Sequence, residues 1–276
     1  MAGRTNISWT DASWNPTTGC TKLSPGCSRC YAESIDHRFD NDKVGKLPWA
    51  FPPSIGGRGI TFHPDRLELP LRWDKPRKIF VNSMSDLFHE DVPFEFTAQV
   101  WDVMRRAYWH TFQILTKRPG RMHEFVHTPL PNVWLGVSTE NQLWADRRIP
   151  LLVQCPAAIR FISYEPALGP LDLTPWLGSL SWVVYGGESG PLARPPHPDW
   201  FRSIRDQCQS ADIAQHFKQW GEWLPAPEEM NYSDAEFWAD GRRTEAWSSG
   251  HTMVRVGKKA AGNHLDGRQW LEWPNA

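Results

Sequence analysis

A chain of 276 residues can bury a sizeable core, as one domain or as two. With 30 Lys and Arg against 31 Asp and Glu, its formal net charge is −1, so any nucleic-acid binding must rest on a local patch. No apolar run approaches the roughly 20 residues that span a bilayer, and the opening residues, Met1 to Asn6, lack the apolar core of a signal peptide; a cytoplasmic protein is expected.

Residues 7–16 read as a first strand carrying Trp9 and Trp14. It feeds a loop rich in Gly, Pro and Ser in which Cys20, Cys27 and Cys30 fall inside eleven residues. Residues 32–40 look helical, residues 42–59 form a Pro- and Gly-rich loop, and residues 64–73 suggest a short helix. A rhythm then sets in. Apolar, strand-like runs at 78–82, 112–116, 133–137, 159–163, 182–185 and 214–218 alternate with helical stretches at 93–108, 120–127, 141–153 and 198–210. Such alternation predicts βαβ units on a parallel sheet. With the first strand the count is seven, which suits a partial or full (β/α) barrel better than a doubly wound sheet, and no Gly-x-Gly-x-x-Gly follows the first strand. Near Glu222 the character changes to Pro-rich sequence, scattered Trp and short strands such as 252–256. A barrel over residues 1–221 and a small C-terminal extension over 222–276 are therefore expected, the latter an appendage or a flap. The 17 Trp are expected mainly as packing surfaces, with base stacking as the alternative.

In a parallel barrel, functional groups gather at the C-terminal ends of the strands. Those ends carry Asn82-Ser83-Met84-Ser85-Asp86, Thr116-Lys117-Arg118, Ser138-Thr139-Glu140-Asn141, Ser163-Tyr164-Glu165, Gly186-Gly187-Glu188-Ser189 and Lys218-Gln219-Trp220. Asp86 and Ser138 are equally readable as helix caps. Gly186 and Gly187 would let a ligand approach the backbone, and Glu188 could accept hydrogen bonds from an amine or a ribose hydroxyl. Glu165 and Glu188 could form a general acid/base pair, and Lys117, Arg118, Arg194 and Lys218 could counter phosphates or a carboxylate.

An odd total of five cysteines, three of them clustered, argues for ligands rather than a disulfide framework. Spacing alone admits a closed zinc site on Cys20, Cys27, Cys30 and His37, or a [4Fe–4S] cluster on the three cysteines with one iron open. Cys155 and Cys208 read as buried structural thiols.

Thr18-Gly19-Cys20, Gly26-Cys27-Ser28-Arg29-Cys30-Tyr31-Ala32, Phe217-Lys218-Gln219-Trp220-Gly221 and Leu265-Asp266-Gly267-Arg268-Gln269-Trp270 together resemble the three-cysteine-motif (Gp37/Gp68-like) proteins of phages and bacteria, a family related to the radical S-adenosylmethionine (SAM) enzymes. The resemblance runs from Trp14 to Trp270. It implies a partial (β/α) barrel with a [4Fe–4S] cluster on Cys20, Cys27 and Cys30, whose open iron is chelated by SAM. One electron, from a reductant such as flavodoxin or ferredoxin, would cleave SAM to methionine and a 5′-deoxyadenosyl radical that abstracts hydrogen from substrate. Phage association makes a nucleotide or nucleic acid the natural substrate guess. Two departures stand out: six residues, where three are usual, separate the first cysteine pair, and Gly186-Gly187-Glu188 follows the sixth strand rather than the second. The cofactor-facing set implied is therefore Tyr31, Asn82, Ser83, Ser85, Ser138, Glu140, Gly186, Gly187 and Glu188, with Glu165, Glu188 and Lys218 as catalytic candidates. The rival readings are a non-catalytic, zinc-stabilised nucleic-acid or protein-binding module, and a hydrolase using Glu165 and Glu188 with a metal as Lewis acid.

Overall fold

The computed structural model describes residues 3–33, 60–227 and 239–275. In chain order the strands are β1 (Gly3–Arg4), β2 (Ala12–Trp14), β3 (Thr17–Thr18), β4 (Thr61–Phe62), β5 (Lys78–Val81), β6 (Thr111–Thr116), β7 (Val133–Thr139), β8 (Ile159–Tyr164), β9 (Trp182–Gly186), β10 (Ala214–Gln219), β11 (Trp223–Pro225), β12 (Thr244–Ala246), β13 (Thr252–Arg255), β14 (His264–Leu265) and β15 (Arg268–Gln269). The α-helices are α1 (Phe94–Arg106), α2 (Pro119–Phe125), α3 (Gln142–Gln154), α4 (Pro198–Ser210) and α5 (Lys258–Ala261).

The main sheet has the order β1-β2-β5-β6-β7-β8-β9-β10. β2, β5, β6 and β7 pair in parallel, as do β9 and β10, with β1 antiparallel on the edge. The expected α/β fold on a parallel sheet is the fold observed. All seven residues of β7 are buried, as a near-continuous apolar run in a parallel sheet requires. Among the described residues no helix is long and apolar enough to cross a membrane.

The chain divides into two compact units, one built from residues 1–138 and 147–161, the other from 139–146 and 162–275. The boundary expected at residue 222 falls inside the second unit.

In the first unit, β2, β5, β6 and β7 pair in register, with Ala12 opposite Ile79, Ile79 opposite Phe112 and Phe112 opposite Val133. Trp14 is buried against Phe112 with ring centroids 5.8 Å apart, and its indole N–H donates to the Arg66 carbonyl at 2.8 Å. A buried Trp needs such an acceptor. α1 buries Thr97, Val100, Val103 and Met104, a one-face helical spacing. Two expectations are corrected here. The strand at 7–16 is only Ala12–Trp14, because the Asn15 side chain turns to accept bonds from Ser83 and Met84 and Pro16 has no N–H for a ladder. The helix at 64–73 is a pair of 3₁₀ turns, Pro64–Arg66 and Leu69–Arg72, because Pro70 removes a donor where a continuous α-helix would need one. Of the helix expected at 32–40, residues 31–33 are helical; the rest, with His37, lies outside the described residues.

In the second unit β9 and β10 pair in parallel, and Pro198–Ser210 forms the helix expected there, burying Phe201, Ile204 and Cys208. Phe201, Phe217, Trp220 and Tyr185 pack as an aromatic cluster with centroids 5.1–6.1 Å apart. The C-terminal residues make a small sheet, β11-β13-β12, and a β14-β15 hairpin. Past that hairpin the chain runs along β10: the Phe217 N–H donates to Trp270 O at 2.8 Å, and the Glu272 N–H to Gln215 O at 2.8 Å. The tail thereby covers the outer edge of the terminal strand, whose backbone groups would otherwise be unpaired. Cys155 and Cys208 are buried, as expected, and burial raises their thiols to about 11 and about 12.

Candidate functional site

In the first unit the cysteine loop leaves β3 at Gly19, which pairs with Ser85 beyond the end of β5; the Gly19 N–H donates to Met84 O at 3.1 Å. The loop is thus stitched at its root to the C-terminal end of a parallel strand. Pro25–Cys27 then makes a 3₁₀ turn, with the Cys27 N–H on Ser24 O at 2.8 Å. Cys20, Cys27 and Cys30 are half-buried, and none of them forms a disulfide. Burial pushes the Cys20 thiol up to about 12, and the Asp86 charge adds to the effect while Arg118 opposes it. Burial also raises Cys30, partly offset by the Lys117 charge. Thiols in this environment hold their protons at neutral pH unless a metal replaces them.

The feature that fixes the loop is Arg118, at the end of β6. Its side chain is buried, and it donates to Glu90 Oε2 at 2.7 Å, Asp86 Oδ2 at 3.3 Å, Thr21 Oγ1 at 2.8 Å, Thr21 O at 3.3 Å and Cys20 Sγ at 3.7 Å. Asp86 is the hub on the other side: it accepts from Thr116 Oγ1 at 2.7 Å, Lys117 N at 3.0 Å and Phe88 N at 3.0 Å. It does cap a local turn, one of its two expected roles, yet the larger role is to hold the buried guanidinium. His89, fully buried, meets Thr21 Oγ1 at 2.8 Å. Burial lowers the His89 pKa, with Arg118 adding, so the ring is neutral at pH 7 and suits a hydrogen bond to a hydroxyl. Sequence reasoning placed Arg118 among groups facing phosphates or a carboxylate; the structure places it beneath the cysteine loop.

Of the expected cofactor-facing residues of this unit, Tyr31, Asn82, Ser83 and Ser85 gather at the same place. Asn82 adopts φ 58°, its side-chain amide donates to Thr17 Oγ1 at 2.9 Å, and Thr17 Oγ1 donates to Ser85 Oγ at 3.0 Å. Ser83 Oγ donates to Asn15 Oδ1 at 3.2 Å, and the half-exposed Tyr31 donates its hydroxyl to the Ser83 carbonyl. Ser138 lies at the end of β7, where its carbonyl accepts from the buried Arg148 at 2.8 Å. No described contact joins it to the cysteine loop.

The second unit holds the other candidates. Lys218 Nζ lies 3.0 Å from Glu165 Oε1, joining the ends of β10 and β8. Gly186 sits beside them: a Cβ there would stand 3.1 Å from Glu165 Oε1. Gly187 has no room for one, since a Cβ would fall 1.9 Å from the Trp220 carbonyl oxygen. Its neighbour across the crossing, Gly221, has φ 87° and is equally tight against Glu188 O. The two glycines are therefore explained by backbone-to-backbone contact. Glu188 is buried and bound by Arg194 through its backbone N–H at 2.9 Å, its Nε at 2.8 Å and its Nη2. Glu140 is fully buried, and its carbonyl accepts from Leu168 N at 2.8 Å. Lys258 of α5 is lowered by burial and by the Lys218 charge, while Glu165 opposes the shift, so the C-terminal extension brings a second ammonium to the Glu165–Lys218 pair.

Of the residues that matter here, Arg194, Lys117 and Arg118 were visible in the sequence only as charges, and Thr21, His89, Glu90 and Lys258 carried no signal.

Three solved structures of spore photoproduct lyase are similar to this chain. A Cys-to-Ser mutant has TM-score 0.42 and 11% identity over 92% of this chain and 71% of that one. A Tyr-to-Phe mutant has TM-score 0.39 and 10% identity over 92% and 72%. A complex with dinucleoside spore photoproduct has TM-score 0.37 and 10% identity over the same shares. No curated protein matches. A family model described as "Protein of unknown function (DUF5131)" matches residues 4–274, essentially the whole length, and the chain belongs to the DUF5131 family.

Proposed function

We propose that the chain is a radical-SAM-type enzyme in which Cys20, Cys27 and Cys30 hold a [4Fe–4S] cluster. One observation carries the reading: a three-cysteine loop is anchored by the buried Arg118 to the C-terminal ends of two parallel strands. That is where a (β/α) barrel keeps its chemistry. The residues fit the group. Three thiols leave one coordination position open, and the Arg118 guanidinium on Cys20 with the Lys117 charge near Cys30 offsets the negative charge of thiolate ligation.

With SAM bound, the cluster would supply reductive cleavage of the sulfonium and hydrogen abstraction from a substrate, for which a nucleotide or nucleic acid is our reading. The protein's part is to place and to shield. Arg118, Asp86 and Glu90 fix the loop against the end of β6. Tyr31, half-exposed and tethered to Ser83, would cover one side of the cluster, and Asn82, Ser83 and Ser85 would face the amino-acid end of SAM. Ser138 and Gly187 are left out of this set, because Ser138 makes no described contact with the cysteine loop and the space at Gly187 is filled by the crossing of its own backbone. In the second unit, taken by itself, Glu165 and Lys218, already a 3.0 Å pair, are the candidates for proton transfer, and Glu188 serves by holding Arg194.

Anaerobic reconstitution tests the reading. The wild type should bind about four irons and release 5′-deoxyadenosine from SAM on reduction with flavodoxin, ferredoxin or dithionite. Cys20→Ala, Cys27→Ala and Cys30→Ala should each abolish turnover. A wild type that binds zinc and no iron would refute it.

A further inference from the structure

We propose a second metal site, formed by His197, Asp199 and His251 and suited to a divalent ion of the zinc class. Their ligand atoms all lie within 4.8 Å of one another. His197 is the N-cap of α4, Asp199 lies in its first turn, and His251 directly precedes β13.

The carboxylate faces both rings. Asp199 Oδ2 is 3.7 Å from His197 Nδ1, and Asp199 Oδ1 is 3.7 Å from His251 Nε2. The opposite ring nitrogens share one hydroxyl: Ser249 Oγ lies 2.7 Å from His197 Nε2 and 3.1 Å from His251 Nδ1. If both rings donate N–H to that oxygen, the lone pairs of Nδ1 on His197 and Nε2 on His251 point at Asp199. A ligating histidine normally has its second nitrogen held in this way. The second nitrogen of each ring is thus already held, by a residue of the turn that carries His251.

Two imidazoles and one carboxylate are the ligand set of an open zinc site, with a fourth position left for water. Trp247 and Trp200 stand beside His197, with ring centroids 5.1 and 6.0 Å away, and give one side an apolar wall. Two features compete with the ion. Asp199 N–H donates to His197 Nδ1 at 3.2 Å, a cap bond that ligation would replace, and Arg202 Nη1 lies 3.0 Å from Asp199 Oδ1. Arg202 has a second partner in Asp266, at 3.1 Å, to which it can turn. Bound metal would tie the turn before β13 to the start of α4.

The test is calorimetric titration of the full-length protein with Zn²⁺, alongside Cys20→Ala, His251→Ala and Asp199→Asn. One Zn²⁺ site should survive Cys20→Ala, and its affinity should fall at least tenfold in His251→Ala and in the near-isosteric Asp199→Asn. Zn²⁺ should also raise the Tm of the wild type and not that of His251→Ala. Equal Zn²⁺ affinity in the wild type and the two site variants would overturn the proposal, as would loss of all binding in Cys20→Ala alone.

Discussion

Arg118→Ala is the perturbation that reaches deepest into the candidate site. The Arg118 and Asp86 side chains are each 7% exposed, and removing the guanidinium strands a carboxylate inside the protein. Breaking a buried pair from one side costs about 3–5 kcal/mol. Asp86 would keep three donors, Thr116 Oγ1, Lys117 N and Phe88 N, which places the expected loss near the lower end, about 3 kcal/mol. The bond to Glu90 adds little, because that carboxylate is 58% exposed and water replaces the partner. Urea unfolding followed by both tryptophan fluorescence and far-ultraviolet circular dichroism would read the loss, since a chain of two compact units need not unfold in one step. Iron content after reconstitution should fall in parallel, because the same side chain holds Thr21 and Cys20. Arg118→Lys should lie between, keeping the charge and losing the fork. A loss below about 1 kcal/mol with full iron loading would refute the assignment of Arg118 as the anchor.

Gly187→Ala should lower the Tm by several degrees, since its Cβ would meet a backbone carbonyl at 1.9 Å and overpacking costs about 1–3 kcal/mol; an unchanged Tm would contradict the close approach. His216, fully buried, has its pKa lowered to about 4 by burial, with the Lys218 charge adding. Its unfolded form takes a proton below about pH 6.5, so stability should be greatest above that pH, fall by about 3 kcal/mol as the pH drops toward 4, and level off below. His63 is lowered by burial to about 4 as well, so the check is a difference: His216→Gln should flatten the fall between pH 6.5 and 4.5 relative to the wild type, and parallel profiles would contradict it.

Much of this fold is written in local pattern. The strands at 133–139, 159–164 and 182–186 are apolar runs that only a buried parallel sheet accommodates, and Pro198 with the spacing of Phe201, Ile204 and Cys208 marks both the start and the face of α4. The three cysteines announce themselves by spacing. What holds them does not. Lys117-Arg118 reads as surface charge, because nothing within its neighbourhood in sequence shows that Asp86, some thirty residues earlier, ends an adjacent strand at the same level. Glu188 and Arg194 hide their pairing for the converse reason: a six-residue loop folds back, and turn geometry is not legible from the residue types alone. The glycines at 186 and 187 suggested room for a ligand, whereas Gly187 is needed for the crossing of its own backbone with residues 220 and 221.

The central claim is that Cys20, Cys27 and Cys30 carry an iron–sulfur cluster that works on SAM. Anaerobic purification with iron and sulfide analysis, and a visible spectrum taken before and after reduction and then with SAM, tests it most directly. The account predicts a brown protein with about four irons per chain that bleaches on reduction and yields 5′-deoxyadenosine. A colourless protein retaining about one zinc on the cysteines would contradict it.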